Sequence, residues 1–339
     1  MAPRLLAALF AVVSAAALVA QSPPARPAAE ITRIAGNLYR GTAGGLRNVF
    51  LVTPDGIILV DPISTSFATW LKAELAERFR VPVKYVVYSH GHYDHIEGGN
   101  VFADTAQFVA HENLARAMDG RLPQMPGGIW DTNRNSRIEF DEAAGALRFQ
   151  QLFTRLDRNG DGGVTPAEYW GEVHAPDLVY SARKTLALGG ATVELIHPGI
   201  NHSDDASVVL FPTERVAYAV DFIADGAVSG SLQSLPGAWG DFDHNPMAGF
   251  IDSMKAVEAL DFDVFAAGEG RLGSKADVTA MRQFFEDLRS AVAAGLSQGK
   301  SLAELQDTLM LEKYQGWAGY EQRRRLNIEA AYNNLRLYR

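Results

Sequence analysis

A layered α/β fold is what this sequence predicts, and three observations carry the prediction. Strand-like runs and helix-spaced apolar stretches alternate along most of the chain. Hydrophobic residues make up 47% of the 339 residues and charged residues 21%, enough apolar material for a large core. One internal stretch, 119–176, is rich in Asp, Asn and Gly and unlike both its flanks, so an insertion is expected to interrupt the layers.

The N-terminus precedes the fold. Arg4 is followed by an Ala/Leu/Val-rich run over 5–20, small residues at Ala17 and Ala20 offer cleavage points, and prolines follow as far as Pro27. That layout predicts a secretory signal peptide over 1–20 and a linker over 21–30, the apolar run being short for a membrane span. Residues 37–60 read as strands, with a turn at Pro54, Asp55 and Gly56 between Val52 and Ile57. Helical spacing places Trp70, Leu71, Leu75 and Phe79 on one side of a helix over 67–79. A buried strand over 83–88 then ends at Ser89 and His90, and a helix is expected over 112–118. Beyond the insertion, strands are predicted over 185–188, 193–197, 207–211 and 215–220. Helices are predicted over 247–260, over 277–298 and after Glu321.

Charge and composition exclude several classes. The net charge is −9 and no basic stretch stands out, so nucleic acid is not an expected partner. There is no cysteine, hence no disulfide, no lipid-modified lipoprotein and no thiolate for a metal or a substrate. Together with the leader, this points to a periplasmic or secreted protein with no membrane attachment after cleavage.

The chemistry concentrates in His90-Gly91-His92-Tyr93-Asp94-His95, three imidazoles and a carboxylate within six residues. On a tight loop after a strand, alternate side chains diverge. His90 and His92 can grip one ion while Asp94 and His95 face a second. Imidazole nitrogen with carboxylate oxygen is the donor mixture zinc favours, and catalytic sites keep a position open for water. Core packing does not explain four ligand-type residues in so short a window.

This segment resembles the H-x-H-x-D-H signature of the metallo-β-lactamase superfamily, and the later residues follow that family's order over about 31–118 and 177–300. Carried over residue by residue, the resemblance implies one metal held by His90, His92 and His202. A second would be held by Asp94 and His95, with Asp221 shared. Asp61 would hydrogen-bond a ligand or its loop and fix its orientation. The implied architecture is a four-layer αββα sandwich with the metals at the strand ends. His202 on its own could cap a turn and Asp221 on its own could cap a helix. One position departs from the family: where its last ligand is a His between glycines, this chain has Gly268-Glu269-Gly270. Either Glu269 binds through oxygen, or the second site is weak and the enzyme works with one ion. His244 is a minor candidate; His111, His174 and His197 read as structural or surface residues.

Two stretches inside 119–176 have calcium-loop spacing. Asp157, Asn159, Asp161, Gly163 and Glu168 occupy the ligand places of an EF-hand loop, with Gly162 at the sharp turn and Val164 at the loop-pairing position. Asp131, Asn133, Asn135, Arg137 through its backbone carbonyl, and Glu142 fall in the same register. There Ser136 replaces the expected Gly, making the turn more costly, and only Asp131, Glu139 and Glu142 bring charge, so the affinity should be lower. A helix over 143–156 should join them into a compact pair with a structural role.

The expectation is therefore a secreted, zinc-dependent hydrolase of a small molecule. Its metals would make water acidic enough to attack an ester, thioester, lactone, amide or β-lactam bond, with Asp94 orienting the nucleophile and taking up its proton. A β-lactamase proper is the sharpest alternative. A catalytically decayed calcium- and metal-binding protein is the alternative from another class.

Overall fold

The computed structural model describes residues 29–120, 122, 131, 133–142, 153–223, 232–237 and 245–338. The stretch expected as a signal peptide, nearly all of that expected as a linker, most of the helix expected over 143–156 and His244 lie outside these residues.

The first half builds one sheet. Strands β1 (Ala29–Ala35), β2 (Leu38–Ala43), β3 (Leu46–Thr53) and β4 (Gly56–Val60) form an antiparallel meander. Helix α1 (Thr65–Phe79) carries the chain back, so that β5 (Val83–Val87) lies parallel to β4. A short helix, α2 (Tyr93–Ile96), and a 3-10 turn lead to β6 (Gln107–His111), parallel to β5, and then to α3 (Glu112–Ala117). Within the described residues of 119–176 are β7 (Ile138–Glu139), β8 (Gly163–Val164) and α4 (Pro166–Trp170). Strand β9 (Leu178–Tyr180) returns to complete the seven-stranded sheet beside β6.

The second half builds a six-stranded sheet from β10 (Arg183–Leu188), β11 (Ala191–Ile196), β12 (Val208–Phe211), β13 (Val216–Ala219), β14 (Val264–Ala267) and β15 (Leu272–Ser274). Helix α5 (Met247–Glu258) is the crossover that makes β14 parallel to β13. Helices α6 (Lys275–Ser297), α7 (Leu302–Thr308) and α8 (Tyr320–Leu337) follow.

Strand alternation decides the layering. Along β3, Val49 and Leu51 point toward the second sheet, where Val193, Phe211 and Tyr218 meet them; Phe50 between them points outward, into the cluster containing Phe67 and Leu71 of α1. The outer face of the second sheet is covered by Phe250 and Met254 of α5, Phe284 and Leu288 of α6, and Ile328 of α8. The result is helix, sheet, sheet and helix, the expected four layers. Each fully buried apolar side chain of this size contributes about 1.5–3 kcal/mol, so the stacking is driven mainly by these three clusters.

Several elements differ from the sequence expectation for identifiable reasons. Strand β1 starts at Ala29, inside the stretch expected as linker; it is an edge strand whose residues are half-buried or exposed, so no alternation marks it. Strands β9, β14 and β15 are three or four residues long, too short to show a period. Helix α6 starts earlier than expected because Ser274 and Asp277 close a capping box, Asp277 Oδ2 accepting from the Ser274 amide at 2.8 Å. Helix α7 has the same device in Ser301 and Glu304. No helix among the described residues is long and apolar enough to cross a membrane.

The described residues of 119–176 are paired and tied to their surroundings. Buried Ile138 and Val164 face each other where β7 meets β8, joining the two acidic loops. Asp157 accepts from the amides of Asp161 (3.1 Å) and Gly162 (3.0 Å); Asp131 accepts equivalently from Asn135 (2.9 Å) and Ser136 (2.7 Å). Ser136 takes φ 65° where Gly162 takes 85°, so the first loop makes the same turn without the glycine that would make it easy. The Asn100 side chain donates to Gly171 O and its amide to Glu172 O, tying the segment to the turn after α2.

Candidate metal centre

Parallel strand pairs deliver the site. Asp61 follows β4 and His90 follows β5; Asp221 follows β13 and Glu269 follows β14. All four stand at carboxyl ends of neighbouring strands, where an open α/β sheet leaves a crevice. Backbone strain gathers there too. Asp61, Ile63 and Asp221 have φ of 58°, 64° and 65°, each worth on the order of 1–3 kcal/mol unless surrounding contacts impose it. Those contacts are present: the Asp61 amide donates to Val87 O at 2.9 Å and the Ile63 amide to His95 O at 2.8 Å.

The residues named from the sequence come together in two groups. His90, His92, His202 and Asp221 each offer a ligand atom within 4.8 Å of one another, and so do Asp94, His95 and Glu269. Asp221 Oδ2 lies at the centre: 3.2 Å from His90 Nε2, 3.2 Å from His202 Nε2, 3.6 Å from His95 Nε2 and 3.7 Å from His92 Nδ1. His202 Nε2 and His92 Nδ1 are 2.8 Å apart. One carboxylate oxygen therefore touches both groups, as the residue shared between them would.

Local hydrogen bonds aim these rings. Ser89 Oγ lies 3.0 Å from His90 Nδ1, which leaves Nε2 for the site. Asp61 Oδ1 accepts the Ser89 amide at 2.8 Å, and its Oδ2 accepts the Tyr218 hydroxyl at 2.8 Å while lying 4.0 Å from His95 Nδ1. Gly91 lets the loop turn against its neighbours: a Cβ there would meet Leu114 Cδ1 at 2.9 Å and Asp205 Oδ2 at 3.1 Å. Asn201, buried beside His202, is held by Gly199 O and by Ser253 Oγ of α5.

The electrostatics favour a cation. Burial, with His92 beside it, pushes His90 down to about 3, so its ring is neutral and its lone pair is free at neutral pH. Burial alone would raise the Asp221 carboxyl, but the facing His95 and His202 overcome it and hold the group well below the usual carboxylate range. Burial opposes a charge on His95 as well; Asp221, Asp94, Asp61 and Glu269 outweigh it and leave the ring's pKa raised. Most telling, His90 Nε2 and both ring nitrogens of His95 are sealed from solvent and make no aligned hydrogen bond. Such orphaned buried nitrogens around an ionised carboxylate are the donor set a divalent transition metal takes up.

The matching residues cover most of the chain: residues 42–269 match the model of the metallo-beta-lactamase superfamily. The chain belongs to that superfamily. A curated relative, the 2,4-dinitroanisole O-demethylase subunit alpha of Nocardioides sp. (strain JS1661), is 23% identical over 238 residues, 69% of this chain and 56% of that protein. The chain thus spans little more than half that relative's length. Among solved structures, a metallo-beta-lactamase from Pontibacter korlensis superposes with a TM-score of 0.51 at 16% identity, covering 76% of this chain and 99% of that one. One from Hirschia baltica gives 0.51 at 12% identity, over 76% and 97%. A double mutant of the sec-alkyl sulfatase PisA1 gives 0.63 at 13% identity, over 92% of this chain and 51% of that one. At these identities the likeness is one of fold.

Three residues beside the candidate metal ligands carry no mark of their own in the sequence pattern. Ser89 and Tyr218 orient His90 and Asp61, and Asp205 is buried behind Gly91, where burial raises its carboxyl above the usual range. Ser89 borders the 90–95 motif and Asp205 follows His202 by three residues, so both lie in stretches the sequence already marks. Tyr218 meets Asp61 across a sequence separation of 157 and leaves no local trace. His111, His174 and His197 sit apart: His111 stacks on His197 at 4.1 Å and His174 on Phe108 at 4.2 Å.

In the acidic loops, Arg137 does more than lend a carbonyl. Its guanidinium binds the Asp161 carboxylate at 2.5 Å and lies against Gly163, where any Cβ would strike it. Glu168 Oε2 accepts from the Thr165 amide and hydroxyl, and the Asn159 amide faces the same carboxylate, whose Oε1 is sealed from solvent.

Proposed function

We propose that this chain is a zinc-dependent hydrolase cleaving an ester, thioester, lactone, amide or β-lactam bond of a small molecule. The observation that carries the reading is the convergence of four imidazole nitrogens on Asp221 Oδ2. His90, His92 and His202 would hold one zinc; Asp94, His95 and Glu269 would hold a second ion, with Asp221 shared. When bound, the metal supplies Lewis acidity that polarises the scissile bond and makes water acidic at neutral pH. The chain's own groups do the rest. Asp94, grouped with His95 and Glu269, orients the attacking water and accepts its proton. Asp61, clamped by Ser89 and Tyr218, fixes the loop that carries the first ligands.

A second reading, cleavage of an activated ether, is favoured by the curated relative, whose name is that of an O-demethylase subunit.

The acidic loops support a structural calcium role within this reading. Loop 157–168 would bind more tightly than loop 131–142, having glycines at its left-handed positions. Arg137 must give up Asp161 for that, which lowers the affinity. The apolar leader over 5–20 supports export to the periplasm or medium.

The test is metal analysis of the purified chain with hydrolytic screening of the zinc-loaded protein against β-lactams, lactones, thioesters, an aryl methyl ether and an alkyl sulfate. Stoichiometric zinc and turnover of one class are expected. No stoichiometric metal and no turnover would leave the decayed binding protein as the better reading.

A further inference from the structure

We propose that Tyr169 of α4 is a positioning residue of the metal centre, holding the turn of Tyr93 and Asp94 from outside and so making the inserted segment part of the site. The proposal rests on the metal reading above. Tyr93 stands between His92 and Asp94, one residue from each metal group. Tyr169 is fully buried, its ring 5.5 Å from that of Tyr93, with Trp170 set edge-on against it at 4.6 Å. Two more residues of the segment grip the same tyrosine. The Arg155 guanidinium lies 5.2 Å over the Tyr93 ring and pairs with Glu97 at 3.0 Å; Arg158 reaches the Tyr93 hydroxyl and pairs with Glu172 at 3.2 Å. A residue flanked by metal ligands is thus clamped by three side chains of the insertion.

The Tyr169 hydroxyl separates positioning from packing. It is sealed from solvent; its oxygen faces the Tyr93 amide, the link between His92 and Asp94, while its proton has no aligned acceptor among the described residues. A buried hydroxyl whose proton is left unpaired costs about 1–3 kcal/mol, and a phenylalanine would fill the same space without that cost. Burial is the main reason its pKa stands far above the ordinary phenol range; of the carboxylates acting on it, Asp94 is strongest and Asp205 next. A phenol whose oxygen faces the Tyr93 amide and whose ring stacks on Tyr93 is suited to fixing the turn, and through it the direction in which the Asp94 carboxylate is presented.

Cobalt(II) titration of the metal-free chain, followed by its visible absorption, with thermal melting of the same samples, tests this on the parent, Tyr169→Phe and Tyr169→Leu. The Phe variant should melt at or above the parent's temperature, take up the first cobalt with unchanged affinity, and bind the second about tenfold more weakly. The Leu variant should show the same selective loss with a lower melting temperature. In an Asp94→Asn background, Tyr169→Phe should have no further effect on the second ion. A Phe variant that titrates like the parent overturns the proposal. So does parallel weakening of both ions in step with melting, which would make Tyr169 a scaffold residue only. A parent that takes up no cobalt would sink the metal reading itself, and the proposal with it.

Discussion

The hydroxyl of Tyr218 donates to Asp61 Oδ2 at 2.8 Å, joining β13 of one sheet to the end of β4 in the other. The same carboxylate accepts the Ser89 amide, so one buried aspartate ties both sheets to the loop that starts the metal motif. Burial raises the Asp61 pKa, and these hydrogen bonds with nearby His95 act against that rise.

Tyr218→Phe removes one of those donors without emptying the space. A hydrogen bond to a charged group is worth about 1.5–3 kcal/mol, so the urea midpoint should fall by a corresponding amount. Zinc affinity should fall with it, because Asp61 loses its anchor. A Phe variant equal to the parent in both measurements would remove Tyr218 from the account.

Arg215 clamps Asp261 and Asp263 at 2.8 and 2.7 Å, closing the turn before β13 onto the start of β14. Its hydrogen bonds hold both carboxyls below the ordinary value of 3.8. Groups depressed in the folded state stabilise above their unfolded pKa and lose that contribution as pH falls through the folded one. Arg215→Gln should therefore lower the melting temperature at pH 7, and the difference should shrink progressively below about 3.8. A difference that stayed constant into that acid range would mean the effect is not the ion pair.

Glu168→Gln should reduce the melting shift produced by calcium while leaving zinc stoichiometry unchanged. Mass action ties the shift to affinity, and millimolar calcium suffices for extracellular loops. An undiminished shift would move the main calcium site elsewhere.

Glu269→Ala should leave about one tightly bound zinc, and Glu269→His should raise occupancy of the second group. Because the native group has one imidazole and two carboxylates besides Asp221, manganese or ferrous iron should compete better in the parent than in the His variant. An Ala variant holding as much metal as the parent would make the 268–270 turn only a wall of the site.

The motif at 90–95 was legible because its ligands are neighbours in sequence, and the order of Asp61, His202 and Asp221 could then be read against it. The layers were legible because strands such as β3 alternate inward and outward. What escaped were long-range partners and short elements. Tyr218 finds Asp61 only after two sheets stack, and Tyr169 finds Tyr93 only after the inserted segment folds back on α2. Strand β1 lacks a hydrophobic face, and β9 is three residues long. The loops at 131–142 and 157–168 stood out because their spacing is itself the signal; that Arg137 lies on Asp161 depends on β7 pairing with β8, which no local pattern specifies.

The central claim is that the imidazoles around Asp221 form a metal centre that performs hydrolysis, and the zinc content and turnover of His92→Ala test it most directly. Changes to residues beyond the metal ligands typically lower affinity or activity by 10–100-fold, so loss of a ligand should exceed about 100-fold. The account predicts a folded variant whose zinc at the His90, His92 and His202 group is lost on dialysis and whose turnover falls by at least that factor. Full turnover at the parent's zinc content would contradict it.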